Sequence, residues 1–94
     1  MKKTIWKFEL NPDDTQSIEM PEFAQILCIQ TQNLKPCLWA LVEPENRKVK
    51  RTFEIFGTGY NIPSNRERQY IGTFQTDNGF YVFHCFELIR TLQS

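Results

Sequence analysis

Two kinds of residue in this chain could do binding chemistry, and they sit close together. Gly57-Thr58-Gly59-Tyr60 follows the alternating run Val49 to Phe56, which contains Arg51, and Arg66, Arg68 and Tyr70 come after it. Glycines on both sides of a threonine permit φ > 0 and close approach of a ligand. Successive backbone N–H groups in such a turn can cradle an anion. Arginine forks pair with phosphate oxygens, and aromatic faces stack on nucleobases. The ligand these types point to is a small anion, with a nucleotide as the natural case. The competing reading is a β-bulge or tight turn that needs glycine for its own geometry.

The standard phosphate loops are excluded. A dinucleotide fingerprint needs a third glycine and a helix aimed at the pyrophosphate. Here Asn61-Ile62-Pro63 follows, and proline disfavours helix at the residue before it. A P-loop needs Gly-Lys-Ser/Thr, which is absent.

His84 is the only histidine. It reads either as a core histidine with one hydrogen-bond partner or as a donor that joins the ligand site. Its neighbour Cys85 must point to the other face of a strand, so a simple Cys–His pair is ruled out. A nucleophile needs a base within hydrogen-bond reach, and Thr58, Cys28 or Cys37 would meet His84 only through a contact made by the fold. The acids cluster in N-terminal turns and do not resemble a carboxylate dyad. No spacing of His and Cys matches a zinc module. The expectation is therefore a non-enzymatic binding protein with no metal and no cofactor. Its site comprises Arg51, Gly57, Thr58, Gly59, Tyr60, Arg66, Arg68, Tyr70 and His84. Trp6 and Trp39 read first as core anchors and second as stacking walls.

The elements that must position these residues are strands. Trp6, Phe8 and Leu10 alternate with Lys7 and Glu9. Gln16 to Met20 forms a second strand that Pro21 stops. The middle of Gln25–Gln32 and the whole of Cys37–Val42 are apolar on both faces, so they are expected to pair at the sheet centre, with Asn33 to Pro36 as the hairpin loop. Val49 to Phe56 puts Phe53 and Ile55 on one face and Thr52, Glu54 and Phe56 on the other. The segment 61–69 reads as a polar loop with room for one helical turn at Pro63–Arg68. Tyr70 to Gln75 is a strand. Asn78-Gly79 favours a type I′ hairpin, because both central residues need φ > 0. Phe80 to Leu88 is the last strand, and residues 89–94 read as a fraying tail. About seven strands with turn signals between them and little helix give an all-β class. The expected architecture is a single antiparallel β-sandwich or small barrel over residues 1–94.

Composition sets the outer limits. The 94 residues suit one domain, and 14% are aromatic, so a few large rings can fill a small core. Net charge is zero, but residues 47–68 carry six Lys/Arg against two Glu. A neutral chain is a poor general nucleic-acid binder, while a local basic block can hold a small anion. The three cysteines are an odd number without a Cys-x-x-Cys, which fits buried thiols in a reducing cytoplasm. No run has the length of a membrane span or the form of a signal peptide.

Several motifs recur in order along nearly the whole chain: Ile5-Trp6-Lys7-Phe8, Ile18-Glu19-Met20-Pro21, Pro36 to Val42, Gly57-Thr58-Gly59, Tyr70 to Gln75 and Val82-Phe83-His84. Together they resemble a family of small uncharacterised proteins of bacteriophages and bacterial genomes. In that family pattern a histidine often follows Gly-Thr-Gly, where this chain has Tyr60. The resemblance implies a phage or prophage setting, hence a host cytoplasm. There a nucleotide-binding protein could sequester a bacterial defence signal without turning it over. It brings no catalytic residues. The alternative expectation is an interaction protein that homo-oligomerises through its strand edges.

Overall fold

Alternation of apolar and polar residues becomes seven strands in the computed structural model, which describes residues 2–12 and 14–91. They are β1 (Thr4–Glu9), β2 (Asp14–Pro21), β3 (Gln25–Gln32), β4 (Lys35–Val42), β5 (Lys48–Gly57), β6 (Arg66–Thr76) and β7 (Tyr81–Thr91). All pairings are antiparallel, in a three-stranded sheet of order β1-β4-β3 and a four-stranded sheet of order β2-β5-β7-β6. The architecture is the expected all-β sandwich.

The core lies between the two inner faces. From the first sheet come Ile29, Leu38, Ala40 and Val42, with Trp6 and Phe8 half-buried beside them. From the second come Met20, Phe53, Ile55, Phe74 and Cys85. Side chains directly opposite on paired strands share a face. The register therefore puts Phe53 beside Glu87, Ile55 beside Cys85, and Phe74 beside Phe83 on one side of the second sheet. Thr52, Glu54, Phe56, His84, Phe86 and Leu88 lie on the other side.

The sheets meet along β3 and β6. Thr31 Oγ1 donates to the Gln75 carbonyl at 2.7 Å. A Cβ on Gly72 would stand 2.9 Å from Ile29 Cγ2, so only glycine lets the strands come this close.

Several expectations are corrected. β3 pairs with β4, but only β4 is central; β3 is an edge strand whose apolar character serves its contact with β6. Trp39 faces outward beside Lys7, whose ammonium lies 6.0 Å from its ring. Only Asn33 and Leu34 form the β3–β4 turn, both at positive φ, while Lys35 and Pro36 already belong to β4. Asn78 and Gly79 take positive φ, yet strand pairing ends at Thr76 and Tyr81, so the loop has four residues rather than the two of a type I′ hairpin. Arg66 to Arg68 are strand and not a helical turn, because pairing with β7 supplies their backbone partners. That pairing also carries β7 to Thr91, through what the sequence reads as a fraying tail; residues 92–94 lie outside the described residues.

The β5–β6 connection decides the site. β5 and β6 flank β7 and run parallel to each other. Gly57 pairs with Phe83 and Arg66 with Thr91, so residues 58–65 must travel back along β7. That path is about 25 Å at roughly 3.3 Å per residue. The inner face is filled by the other sheet, so the connection crosses the outer face. Arg68 on that face confirms the path: its Nη1 donates to the Pro63 carbonyl at 2.6 Å.

Candidate functional site

Under this crossover sits Glu54, which is only 4% exposed. A buried carboxylate needs partners, and two arginines supply them. Arg68 Nε donates to Oε1 at 2.6 Å and Arg66 Nη1 to Oε2 at 3.0 Å. The Arg68 guanidinium also lies 5.5 Å from the Phe56 ring centroid. Phe56 and Tyr70 both pack edge-on to Phe86, with centroids 6.0 and 5.4 Å apart. Arg66 and Arg68 thus both hold the carboxylate, and Arg68 also fastens the crossover to the sheet.

At the far end of the sheet, Gly57 to Tyr60 form a turn. The Thr58 N–H donates to the Val82 carbonyl at 3.2 Å and the Tyr60 N–H to the Gly57 carbonyl at 3.1 Å. Two of the amides expected to cradle an anion therefore close the turn instead. Gly59 has φ of 88°, the left-handed region that favours glycine. The Tyr60 ring lies against Gly57, where a Cβ would come within 3.2 Å of it.

His84 is brought to this turn by pairing with Phe56 and Thr73. It sits half-buried on the outer face, not in the core, and both ring nitrogens have hydroxyl partners. Thr58 Oγ1 lies 2.7 Å from Nε2, and Thr73 Oγ1 lies 2.9 Å from Nδ1. Tyr70 continues the chain, its hydroxyl 2.6 Å from Thr73 Oγ1. A neutral imidazole donates from one nitrogen and accepts at the other, and rotating hydroxyls can serve either. Thr58 has gained a base within reach, but a hydroxyl rather than a carboxylate faces Nδ1. Cys85 points inward, as strand alternation requires. Burial, with a further push from the Glu87 charge, raises its thiol to about 12.

Beside the turn lies a cleft of about 410 Å³. Its walls are Tyr60, Phe80, Tyr81 and Phe83, with Gly57 and Thr58 at one side, and among the described residues no charged side chain lines it. Phe80 and Tyr60 are 76% and 73% exposed. Phe80 meets Tyr81 edge-on at 4.8 Å, and Tyr81, Phe83 and Phe74 continue as a stacked row. Sequence reasoning missed Phe80 and Tyr81 as cleft walls. Reading Phe80 as a strand residue hid that the loop runs through it, and only the fold brings both to Tyr60.

Arg51 lies elsewhere. It is on the inner face, where Nε and Nη2 grip the Glu87 carboxylate at 2.6 and 2.8 Å and Nη1 donates to the Ala24 carbonyl at 2.5 Å. The nine expected site residues therefore fall into three places. Thr58, His84 and Tyr70 are joined by hydrogen bonds at the turn, with Gly57, Gly59 and Tyr60 forming it. Arg66 and Arg68 hold Glu54, and Arg51 is across the sheet. Among the described residues, no group of three or more His, Cys, Asp or Glu is placed to hold a metal. Among the same residues, no helix is long and apolar enough to cross a membrane.

No curated protein and no solved structure matches the chain. A family match does cover it: the motifs that run from Ile5 to His84 fall within residues 1–93, which match the family described as Domain of unknown function (DUF7352). This chain belongs to the DUF7352 family.

Proposed function

We propose that the protein is a non-enzymatic binding module that holds a small molecule by a planar aromatic group, a nucleobase being the natural case. The observation that carries this reading is the cleft at Gly57–Tyr60, where Tyr60, Phe80 and Tyr81 expose ring faces around about 410 Å³. Ligand sites commonly have about 300–1,000 Å³ and mostly apolar linings with a few polar groups. Thr58 supplies such a group, with its hydroxyl fixed by His84. Stacking on an aromatic side chain contributes about 1–3 kcal/mol per base. The anionic part of the expected ligand has less support, since Arg51, Arg66 and Arg68 each hold a carboxylate. A nucleoside and its nucleotide should therefore bind alike. In the phage setting that the sequence resemblance implies, such a module would retain a host nucleotide signal in the cytoplasm without converting it.

Isothermal titration with matched nucleosides and nucleotides tests the reading. Binding that weakens at least tenfold in both Tyr60→Ala and Phe80→Ala supports it; no binding, or binding indifferent to both, refutes it.

A second reading, homo-oligomerisation, is favoured by the free edges. β1 and β2 each pair on one side only. A monomer by light scattering at high concentration would refute it.

A further inference from the structure

A second cleft, of about 440 Å³, opens between β3 and β6 at the end of the sandwich away from the Gly57 turn. Its origin lies in two irregularities that face each other. In β3 the register slips between Ile26 and Cys28, which inserts Leu27. In β6 it slips between Tyr70 and Gly72, which inserts Ile71. The strands touch at Ile29, Thr31, Gly72 and Gln75 and part where the bulges lie. Both inserted residues line the opening, with Gln25 and Gln69 beside them. Bulges bend a strand and re-aim its side chains, and they recur next to functional sites.

The floor of this cleft is the Arg51–Glu87 pair. An ion pair on the inner face of a small sandwich is weak evidence for stability, since well-packed apolar residues of similar volume often do as well or better. The pair is bidentate, and its side chains are 21% and 10% exposed. Arg51 Nη1 and Nη2 each make one hydrogen bond here, so each has a second N–H to offer. The Glu87 oxygens keep acceptor capacity beyond the one bond each receives from Arg51. Among the described residues, these two are the only charged side chains lining the cleft, and they cancel. A neutral floor with paired donors and acceptors, rimmed by two glutamines, does not select an ion.

We infer that the bulged cleft between β3 and β6 is a binding site for a small neutral molecule that presents a hydrogen-bond donor beside an acceptor, as a primary amide or a nucleobase edge does. The site is separate from the aromatic cleft and does not rest on the reading given for it.

The test uses uracil as probe and 1,3-dimethyluracil, the same ring without its donors, as control. Nuclear magnetic resonance titration follows the Gln25 and Gln69 side-chain amides, the Arg51 Nε–H and the Tyr60 and Tyr81 backbone amides. Expected are saturable shifts at Gln25, Gln69 and Arg51 with uracil, and affinity roughly tenfold lower for the dimethyl compound, about one well-made hydrogen bond. Gln69→Ala, an exposed site that should not disturb folding, weakens uracil binding. Lys7→Ala, at an exposed residue that lines neither cleft, leaves it unchanged. Three results would overturn the inference: no saturable shifts at millimolar uracil, equal binding of the two probes, or shifts confined to Tyr60 and Tyr81. The last would place uracil in the aromatic cleft instead.

Discussion

Removing the carboxylate beneath the crossover should damage the protein more than removing Arg68, and far more than removing Arg66. Glu54 and Arg68 have side chains 6% and 8% exposed, whereas Arg66 is 36% exposed. Glu54→Ala leaves the nearly buried Arg68 guanidinium without its anion. Breaking a buried pair from one side costs about 3–5 kcal/mol. Arg68→Ala is partly offset, because Arg66 still reaches Glu54, so about 2–3 kcal/mol is expected from the lost charged hydrogen bond and the lost Pro63 tie. Arg66→Ala should cost under about 1 kcal/mol, since its partner keeps Arg68 and water screens it. A domain of this size loses roughly 4–8 °C of Tm per kcal/mol. Glu54→Ala thus lowers Tm by about 12–40 °C and Arg66→Ala by only a few degrees. Urea denaturation of the three variants, with the Glu54/Arg68 double mutant to close the cycle, measures both the ranking and the coupling. If Arg66→Ala proved as harmful as Arg68→Ala, or if Glu54→Ala were nearly neutral, the account of these residues as a clamp would be wrong. A ligand role for both arginines would then regain its place.

Other outcomes follow from single contacts. Gly72→Ala should cost about 1–3 kcal/mol by overpacking against Ile29 Cγ2, and the cost should shrink in an Ile29→Leu background, which removes that methyl branch; an unchanged cost in denaturation would point to backbone strain instead. Cys85 should resist thiol reagents at pH 8 in the native state while the half-buried Cys28 reacts, and rapid labelling of Cys85 would contradict its burial. Its folded pKa, about 12, stands above the ordinary 9.0, so the unfolded chain gives up this proton first. This contribution to stability is therefore complete below pH 9.0 and declines as pH rises toward 12, and a Cys85→Ala variant should lack that part of the decline. Ligand binding in the aromatic cleft should hardly change with salt, because none of the described side chains lining it is charged; a steep fall in affinity with salt by titration would restore the anionic reading.

The strands and their faces were legible because period-two alternation is a local property. Trp6, Phe8 and Leu10 on one face, Phe53 and Ile55 opposite Glu54 and Phe56, and His84 turned away from Cys85 all follow from alternation. The all-β class followed from the same signal and from the turn residues between runs. Strand neighbours were less legible. The apolar run Gln25–Gln32 looked central because sequence does not say whether a strand's second face meets a partner strand or the neighbouring sheet.

The nine candidate residues show where local reading stops. Arg51 and Arg66 are both basic and flank the same glycine turn in sequence, yet register puts Arg51 on the inner face and Arg66 on the outer one. Their carboxylate partners, Glu87 and Glu54, are 36 and 12 positions away, so nothing local shows that these charges are already matched. Thr58 and His84 are 26 apart, and only β5–β7 pairing makes them neighbours. By itself the sequence determined the all-β class, the alternating faces within its clearest strand runs, and that Gly57-Thr58-Gly59 is no standard phosphate loop. Tertiary structure alone decided which charges cancel, where the crossover runs and which rings face the turn, because strand pairing and sheet packing join residues whose separation along the chain carries no local signal.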